Sequence, residues 1–394
     1  MGGKINYGEY LLRFEEEFKR FIGSKYAICV PSGKMGLYLS LKAMGAKEGD
    51  EMIIPAYTVW DVPAIIVALG MKPVFVDIGK DSYNLDVNLI KNAVTDKTKF
   101  ILATHLYGIP CDMDAILKVA EEFNLRIIED CAQGLGAEYK NKKVGAIAEI
   151  GYFSFGLLKN LNTLGGGMVV TDNPSLADAV RKELMLFVYP QKSNLMKNLF
   201  LAYLLSLVTN PIFFSIFLFP LIYFFGDYVN EITADILGSR PPAHIIPDFL
   251  TKFKLKFTNL QAAIGCSQLK KIETLNALRI KNAAILNGLL KDIDKIKITQ
   301  IPPHTYPIYL NYVISVPEAN RAEIIKKLRK KGIDIGYGFL NNCADMQEFA
   351  DFKKDCPMSR QLVKTNLYLP LQPPLSEKHM QRIAENLKLI PRNL

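Results

Sequence analysis

The sequence predicts an α/β protein built on a large, mostly parallel sheet. Apolar strand-like runs alternate with helical segments along the N-terminal half, which is the pattern of strands joined by crossover helices. The chain of 394 residues is long enough for one large core and a smaller second one. We therefore expect a large domain over residues 1–270 and a small α+β domain over residues 271–394. The strand-like runs are Met52–Ile54, Val74–Val76, Phe100–Thr104 and Arg126–Glu129.

The first elements each have a local signal. Apolar residues at helical spacing predict an amphipathic helix over residues 8–22. A short strand is predicted at Tyr26–Val30, and the turn that follows it leads into a second helix. Ser32 and Gly33 lie at the start of this helix, where free backbone N–H groups suit a phosphate. Alone this signal is weak, because any strand–turn–helix junction has the same features.

Later elements place polar residues at strand ends. A helix with one apolar face is predicted at Asp112–Phe123. His105 follows the strand FILAT and Asp130 follows RIIE, and ligands of parallel sheets lie beyond the carboxyl ends of the strands. The small domain is predicted to contain a strand and two helices: Tyr309–Val316, Ala322–Lys331 and Glu377–Leu389.

Composition excludes several classes of protein. Hydrophobic residues make up 49% of the chain and charged residues 22%, which is typical of a folded protein. The net charge is +9, but Lys and Arg are spread out and no nucleic-acid module is recognisable, so we expect no nucleic-acid partner. The six cysteines and four histidines show no metal-ligand spacing, so we expect no metal site and a reducing compartment.

A lone lysine lies in an apolar stretch, GYFSFGLLKNLNTLGGG, at residues 151–167. Lys159 has leucines and asparagine as neighbours, and an amine in an apolar setting loses its charge more readily. A neutral amine attacks a carbonyl to form a Schiff base. A pyridine-ring cofactor needs such a lysine for its aldehyde and a carboxylate, such as Asp130, for its ring nitrogen. The alternatives are a surface lysine before a glycine turn, and an aspartate that caps a helix or forms a salt bridge.

Nine ordered motifs carry a resemblance to a known family. They are PSGKMGLYLSL, GDEMIIPAYT, ALGMKPVFVDI, THLYGIPCDMDAI, IIEDCAQGLGAEYKNKKVG, GYFSFGLLKN, GGGMVVTD, FTNLQAAIGCSQLKKI and NLYLPLQPPLS. With these motifs the chain resembles the DegT/DnrJ/EryC1/StrS family of pyridoxal-phosphate (PLP) sugar aminotransferases, except over about residues 190–250. The resemblance implies a fold-type-I aminotransferase with PLP as cofactor, and a homodimer with active sites at the interface.

The resemblance also implies roles for residues around the cofactor ring. Lys159 matches the family's Schiff-base lysine, and Asp130 matches the carboxylate that pairs with the ring nitrogen. Gln133 matches the residue that hydrogen-bonds the ring oxygen. Family members usually stack an aromatic ring on the cofactor at the position of Val59. Here the sole tryptophan, Trp60, lies one residue later, so we include it among the expected cofactor-binding residues.

At the phosphate end the resemblance implies a cradle made by Gly33, Lys34 and Ser154. Lys34 stands where the family usually has threonine, so a hydroxyl is lost and a charge is gained. Lys254 lies where the partner subunit usually offers an asparagine or a lysine to the phosphate. Two further departures concern Gly166, in place of a frequent glutamate, and the segment GYGFLNNCADMQEF, where many relatives have a histidine-containing substrate segment.

The insertion at residues 190–250 departs most from the family. Eighteen of the 27 residues in 199–225 are Leu, Ile, Phe or Val, and none is charged. A single membrane span would separate two parts of one catalytic domain, and Pro211 and Pro220 interrupt the run. We therefore predict a hairpin that dips into one leaflet of a membrane; a buried oligomer interface or a lid is the alternative. The basic residues expected to meet anionic headgroups are Lys192, Lys197, Arg240, Lys252 and Lys256.

Together these features predict a PLP-dependent transaminase that moves an amino group, with glutamate as the expected donor, to a keto sugar. The sugar is nucleotide-linked by the family's default, or lipid-linked if the enzyme is membrane-bound. The charged N-terminus is not a signal peptide, so we expect a cytoplasmic enzyme, peripheral on the inner face of the cytoplasmic membrane. Two alternatives remain. One is a PLP-dependent sugar dehydratase of the same fold, although relatives of that kind replace the lysine with histidine. The other is a non-catalytic membrane-bound sensor or scaffold.

Overall fold

A large sheet forms the centre of the protein. The computed structural model describes residues 5–208 and 247–388, together with five isolated positions between them. In these residues the strands are β1 (Tyr26–Val30), β2 (Glu51–Pro55), β3 (Tyr57–Thr58), β4 (Lys72–Val76), β5 (Thr98–Thr104), β6 (Arg126–Asp130), β7 (Glu138–Tyr139), β8 (Lys142–Lys143), β9 (Ile150–Ser154), β10 (Gly167–Thr171), β11 (Lys297–Ile298), β12 (Thr305–Tyr306), β13 (Tyr312–Ser315), β14 (Asn341–Asn342) and β15 (Asn366–Leu369).

Seven of these strands form the large sheet, in the order β1-β10-β9-β6-β5-β2-β4. Strand β10 runs antiparallel to both of its neighbours, whereas β9, β6, β5, β2 and β4 pair in parallel. Parallel pairs need crossover connections, and helices supply most of them. The prediction of an α/β fold with a mostly parallel sheet is confirmed.

Helices cover both faces of this sheet. The α-helices of the described residues are α1 (Glu9–Ile22), α2 (Gly33–Ala43), α3 (Asp61–Ala68), α4 (Val87–Ile90), α5 (Met113–Glu122), α6 (Pro174–Met185), α7 (Lys192–Val208), α8 (Asn259–Leu269), α9 (Ile272–Leu290), α10 (Glu318–Lys330), α11 (Pro357–Thr365) and α12 (Glu377–Lys388). Strand β1 shows the two-sided burial: Ile28 and Val30 pack with α2 and α6, whereas Ala27 and Cys29 pack with α1 and α8. Burial on both faces is the reason why such strands are almost wholly apolar.

The C-terminal part has its own core. Strands β11, β13 and β15 form a three-stranded antiparallel sheet. Helices α9, α10 and α12 cover it with apolar residues such as Leu286, Leu328 and Ile383. Helix α9 links the two cores, because Ile272 packs in the core of the large sheet and Leu286 in that of the small one. The boundary near residue 270 stays a prediction.

Two contacts join the C-terminal part to the large sheet close to the strand ends. Strand β14 pairs antiparallel with β3. Three phenols also form a chain: the Tyr107 hydroxyl lies 2.7 Å from that of Tyr57 and 2.6 Å from that of Tyr368. Tyr57 in turn accepts a hydrogen bond of 2.5 Å from the amide of Asn366. Hydrogen bonds thus link these four side chains across the junction, which rigidifies it.

The insertion starts as a helix and closes at its base. The Val188 N–H donates to the Lys254 carbonyl at 3.2 Å, and the Lys256 N–H donates to the Val188 carbonyl at 2.8 Å. Between these ends, α7 spans Lys192–Val208 and ends just before the predicted break at Pro211. Apart from the five isolated positions, the remainder of the insertion up to residue 246, including Arg240 and most of the predicted hairpin, lies outside the described residues. Each helix of the described residues is too short or too polar to span a bilayer.

Candidate active site

Polar residues from three neighbouring parallel strands meet at one edge of the large sheet. Asp130 ends β6, His105 follows β5 and Ser154 ends β9. Because β5, β6 and β9 are adjacent and parallel, their carboxyl ends lie side by side. This is the edge at which open α/β sheets bind their ligands.

Asp130 is a buried acid with few donors around it. Its carboxylate accepts a 2.9 Å hydrogen bond from the Ala132 N–H and one from the Tyr152 hydroxyl. Burial raises the pKa of Asp130, and these two donors oppose the rise, as does the charge of Lys159. A cation beside Asp130 would stabilise its ionised form. The acid therefore fits a protonated ring nitrogen.

Lys159 lies in the loop that follows β9. Its N–H donates to the Gly156 carbonyl at 3.1 Å, and its side chain is half-buried. Burial lowers the pKa of the Lys159 amine, whereas the carboxylates of Asp130 and Asp61 oppose this change. The structure therefore brings Lys159 within electrostatic reach of Asp130 and favours the neutral amine that Schiff-base chemistry needs.

The start of α2 lies directly against the end of β9. The Ser32 side chain caps the helix by accepting a 3.2 Å hydrogen bond from the Met35 N–H. A Cβ atom at Gly33 would lie 2.7 Å from the Ser154 Cβ, so only glycine fits there without a shift. Two of the predicted phosphate residues are thus in contact. A helix N-terminus beside a serine hydroxyl is a suitable site for a phosphate.

Gln133 lies beside the same strand ends. Its Oε1 accepts a 2.9 Å hydrogen bond from the Tyr107 N–H. Tyr107 holds this position with a left-handed backbone, φ 58°, which is unusual for a bulky residue. The Gln133 amide nitrogen can only donate, which suits a ring oxygen that carries negative charge.

Lys34 and Trp60 lie together near the start of α2. The Lys34 ammonium is 5.8 Å from the centre of the Trp60 ring, and Trp60 is buried in the large core. The structure places the Lys254 ammonium 5.7 Å from the centre of the Tyr38 ring, on the same helix as Lys34. Whether Trp60 stacks on the cofactor, and whether Lys254 serves the phosphate of a partner subunit, stay predictions.

Two acids near the site were missed by the sequence analysis. Asp61 forms an ion pair with Lys34 at 2.9 Å, and Glu129 accepts a hydrogen bond from His105 at 3.1 Å. The charged position next to Trp60, just where a helix begins, was a signal for Asp61. The sequence signal for Glu129 was weaker: an acid inside an apolar strand is buried and needs hydrogen-bond donors around it.

Glu129 and His105 also resemble a metal site, because their ligand atoms and that of Cys131 lie within 4.8 Å of one another. The hydrogen bonds favour a structural role. The His105 Nδ1 accepts from the Cys111 N–H at 3.1 Å, so Nε2 is left to donate to Glu129. The Glu129 carboxylate also accepts from the N–H groups of three loop residues: Gly145, Ile147 and Ala148.

The fold and the site together define a fold-type-I aminotransferase. A family model described as the DegT/DnrJ/EryC1/StrS aminotransferase family matches residues 1–198 and 242–388. The chain belongs to this family and is an aminotransferase, as its motifs predict. The stretch without a match, 199–241, lies inside the hydrophobic insertion.

Individual relatives agree with this assignment. An uncharacterized protein of Methanocaldococcus jannaschii is 33% identical over 395 residues, covering 98% of this chain and 91% of the relative. The structure of DesV from S. venezuelae, in complex with a ketimine intermediate, has a TM-score of 0.77 and 25% identity and covers 98% of this chain and 90% of that one. The structure of the E. coli GDP-4-keto-6-deoxy-D-mannose-3-dehydratase with bound hydrated PLP has a TM-score of 0.74 and 22% identity, covering 97% and 92%. This last likeness shows the fold alone.

Proposed function

We propose that the protein is a PLP-dependent aminotransferase that moves an amino group from a donor, with glutamate as the expected one, to a keto sugar. The observation that carries the proposal is the buried Asp130 carboxylate within electrostatic reach of Lys159, at the ligand-binding edge of the sheet. DesV, crystallised with a ketimine intermediate, is a relative with a similar fold. The family assignment supports amino transfer as the reaction.

The residues present fit PLP. The close contact of Gly33 with Ser154 leaves the start of α2 as an anion cradle, and the Gln133 amide is a donor for the ring oxygen. Asp130 would hold the ring nitrogen protonated, and Lys159 would hold the aldehyde carbon. When bound, PLP supplies an electron sink that makes the α-hydrogen of an amino acid acidic.

The chain's own residues then move the proton. The lowered pKa of Lys159 favours an amine that can take a proton from a carbon acid and return it, as general base and acid. A cationic ring bound beside Asp130 would offset the cost of burying its charge, so Asp130 would stay ionised. The Tyr152 hydroxyl, which donates to Asp130, fixes the orientation of the carboxylate.

The test compares two lysines. Purified wild-type protein incubated with PLP is expected to show the visible absorbance of the lysine-bound cofactor, which bleaches when glutamate is added. Lys159→Ala should abolish this absorbance, whereas Lys281→Ala, an exposed lysine on α9, should retain it. Product masses from a panel of soluble and lipid-linked keto sugars then identify the acceptor. An unchanged spectrum in Lys159→Ala would refute the role of Lys159, and loss of sugar oxygen without gain of nitrogen would indicate a dehydratase.

We also propose a homodimer, as the family resemblance implies. Exposed apolar side chains support it: Leu157 and Leu158 lie next to Lys159, and Met185 and Leu186 are about three-quarters exposed. Such side chains gain by being covered. Light scattering should give twice the chain mass, and Leu158→Asp combined with Leu186→Asp should lower it. A wild-type protein that stays monomeric would contradict this proposal.

We propose further that the insertion binds the membrane surface. Helix α7 exposes apolar residues along one side: Met196, Phe200, Leu201, Tyr203, Leu204 and Leu207. A helix that exposes so many apolar side chains needs a cover of protein or lipid. Lys192 and Lys197, in the polar first turns of the same helix, favour anionic lipid as the cover. The active site near a membrane suits a lipid-linked keto sugar as substrate.

Vesicle binding tests this surface. The wild-type protein should sediment with anionic vesicles, less with neutral ones, and Phe200→Asp with Leu204→Asp should release it. Leu117→Asp, on α5, is the matched control, because Leu117 is also exposed but lies elsewhere. A wild-type protein that ignores both kinds of vesicle would contradict membrane binding. If Phe200→Asp lowers the mass measured by light scattering, α7 contacts another copy of the chain.

A further inference from the structure

The ion pair of Lys34 and Asp61 lies at the phosphate end of the site. The Lys34 ammonium lies 2.9 Å from Oδ2 of Asp61, and each side chain is only 23% exposed. Lys34 is in the first turn of α2 and Asp61 begins α3. The pair therefore ties together the N-terminal turns of two helices, where both helix dipoles present positive charge.

Two aromatic rings lie beside the ammonium of this pair. The Lys34 ammonium lies 4.4 Å from the centre of the Phe253 ring and 5.8 Å from that of Trp60. Rings at these distances attract a cation and keep part of the water away. An ion pair with less water around it is stronger than an exposed pair, so the ammonium is held in one place.

Both members have unused hydrogen-bonding capacity. A lysine ammonium has three N–H donors, and Asp61 takes one of them. The other oxygen of Asp61, Oδ1, is buried and has no hydrogen-bond partner among the described residues. The carboxylate is therefore anchored on Lys34 rather than on its own helix. Leaving such an oxygen without a donor has a cost, which indicates that the position serves a function.

We propose that Asp61 is a positioning residue: it holds the Lys34 ammonium beside the start of α2, where the ammonium binds the phosphate monoester of the cofactor. This inference rests on the proposed function. Without Asp61, the flexible stem of Lys34 would extend its charge into water. With Asp61, the ammonium stays next to the free N–H groups of the helix and replaces the hydroxyl that threonine gives in other family members.

Asp61 also acts electrostatically on Lys159, whose pKa it raises. An effect of Asp61 on the cofactor could therefore pass through either lysine. The two routes differ in their dependence on the phosphate. A route through Lys34 needs the phosphate group, whereas a route through Lys159 acts on the aldehyde end. Pyridoxal, which lacks the phosphate, separates them.

The experiment is a double-mutant cycle on ligand affinity. Lys34→Met and Asp61→Asn keep the shapes of the side chains and remove their charges, and the double variant removes both. Dissociation constants for PLP and pyridoxal are measured from the visible absorbance at Lys159. We expect PLP affinity to fall about tenfold in each single variant and no further in the double variant, with pyridoxal affinity unchanged. Inorganic phosphate should raise the melting temperature of the wild-type apoprotein more than that of Asp61→Asn.

Other outcomes overturn the inference. Equal losses of affinity for PLP and for pyridoxal would show that Asp61 acts through Lys159 or on the stability of the fold. Additive losses would show that the two residues act separately, and tighter PLP binding in Asp61→Asn would show that the carboxylate competes with the phosphate. A variant that binds PLP like the wild type would overturn this inference alone. A wild-type protein that binds neither PLP nor pyridoxal would refute the proposed function itself.

Discussion

Replacing Gly33 with alanine tests the closest contact of the site. The new Cβ would lie 2.7 Å from the Ser154 Cβ, whereas ordinary contacts lie at 3.4–4 Å. The start of α2 must then move away from β9 by roughly 1 Å, and overpacking of this kind costs about 1–3 kcal/mol of folding free energy. The same shift moves the helix N–H groups away from a bound phosphate. We expect PLP affinity to fall about tenfold, since charge-assisted hydrogen bonds depend steeply on distance.

Gly288→Ala is the matched control. Gly288 lies in α9, is exposed, and an added Cβ would meet no atom within 4 Å. Alanine there should stabilise the protein by about 0.5–1 kcal/mol, because glycine inside a helix costs conformational entropy. Denaturant unfolding of the apoprotein and absorbance titration with PLP measure the two effects. The reasoning is refuted if Gly33→Ala matches wild type in both assays, or if both alanine variants change stability in the same direction.

Three further predictions follow from buried polar groups. Burial raises the pKa of Asp130, so its ionised form lowers the stability of the apoprotein at pH 7, whereas its protonated form at acidic pH does not. Asp130→Asn should therefore stabilise the apoprotein against denaturant at pH 7 and not near pH 3. The affinity for PLP should fall. A loss of stability at pH 7 would contradict this. Glu129→Gln should destabilise the protein by about 3 kcal/mol, because an amide NH₂ cannot accept hydrogen bonds from the N–H groups that now donate to the carboxylate. An unfolding midpoint within error of wild type would show that the loop adapts. Tyr107→Phe removes the central hydroxyl of the phenol chain and should lower the free energy of unfolding in denaturant by about 1–2 kcal/mol. PLP affinity should not change, because the backbone N–H of Tyr107, and not its side chain, binds Gln133. A loss of PLP affinity without a loss of stability would contradict this prediction.

Local patterns were enough to predict much of the fold. The apolar strands and the helix at Asp112–Phe123 were found because burial on two faces and on one face leave different periodicities. The helix observed there begins at Met113, with Asp112 as its cap. The predicted strand at Tyr309–Val316 is shorter, Tyr312–Ser315, because pairing with β15 decides where it begins and ends.

Residues brought together only by tertiary structure were harder to predict. Asp130 and Lys159 could be paired from the sequence because each lies in a motif with chemical meaning. The ion pair between Lys34 and Asp61 could not, since it depends on how two helices meet at the sheet edge. The Tyr107 contact with Gln133 depends on a backbone conformation that no residue preference indicates. The membrane hairpin, the cofactor stacking partner and the role of Lys254 stay predictions.

The backbone bonds at the base of the insertion have a consequence for how such enzymes diversify. Val188 is hydrogen-bonded to Lys254 and to Lys256, so the catalytic body is closed whatever lies between them. The entropy of closing a loop grows only slowly with its length. Evolution can therefore exchange the segment for one of another size and polarity without redesigning the sheet.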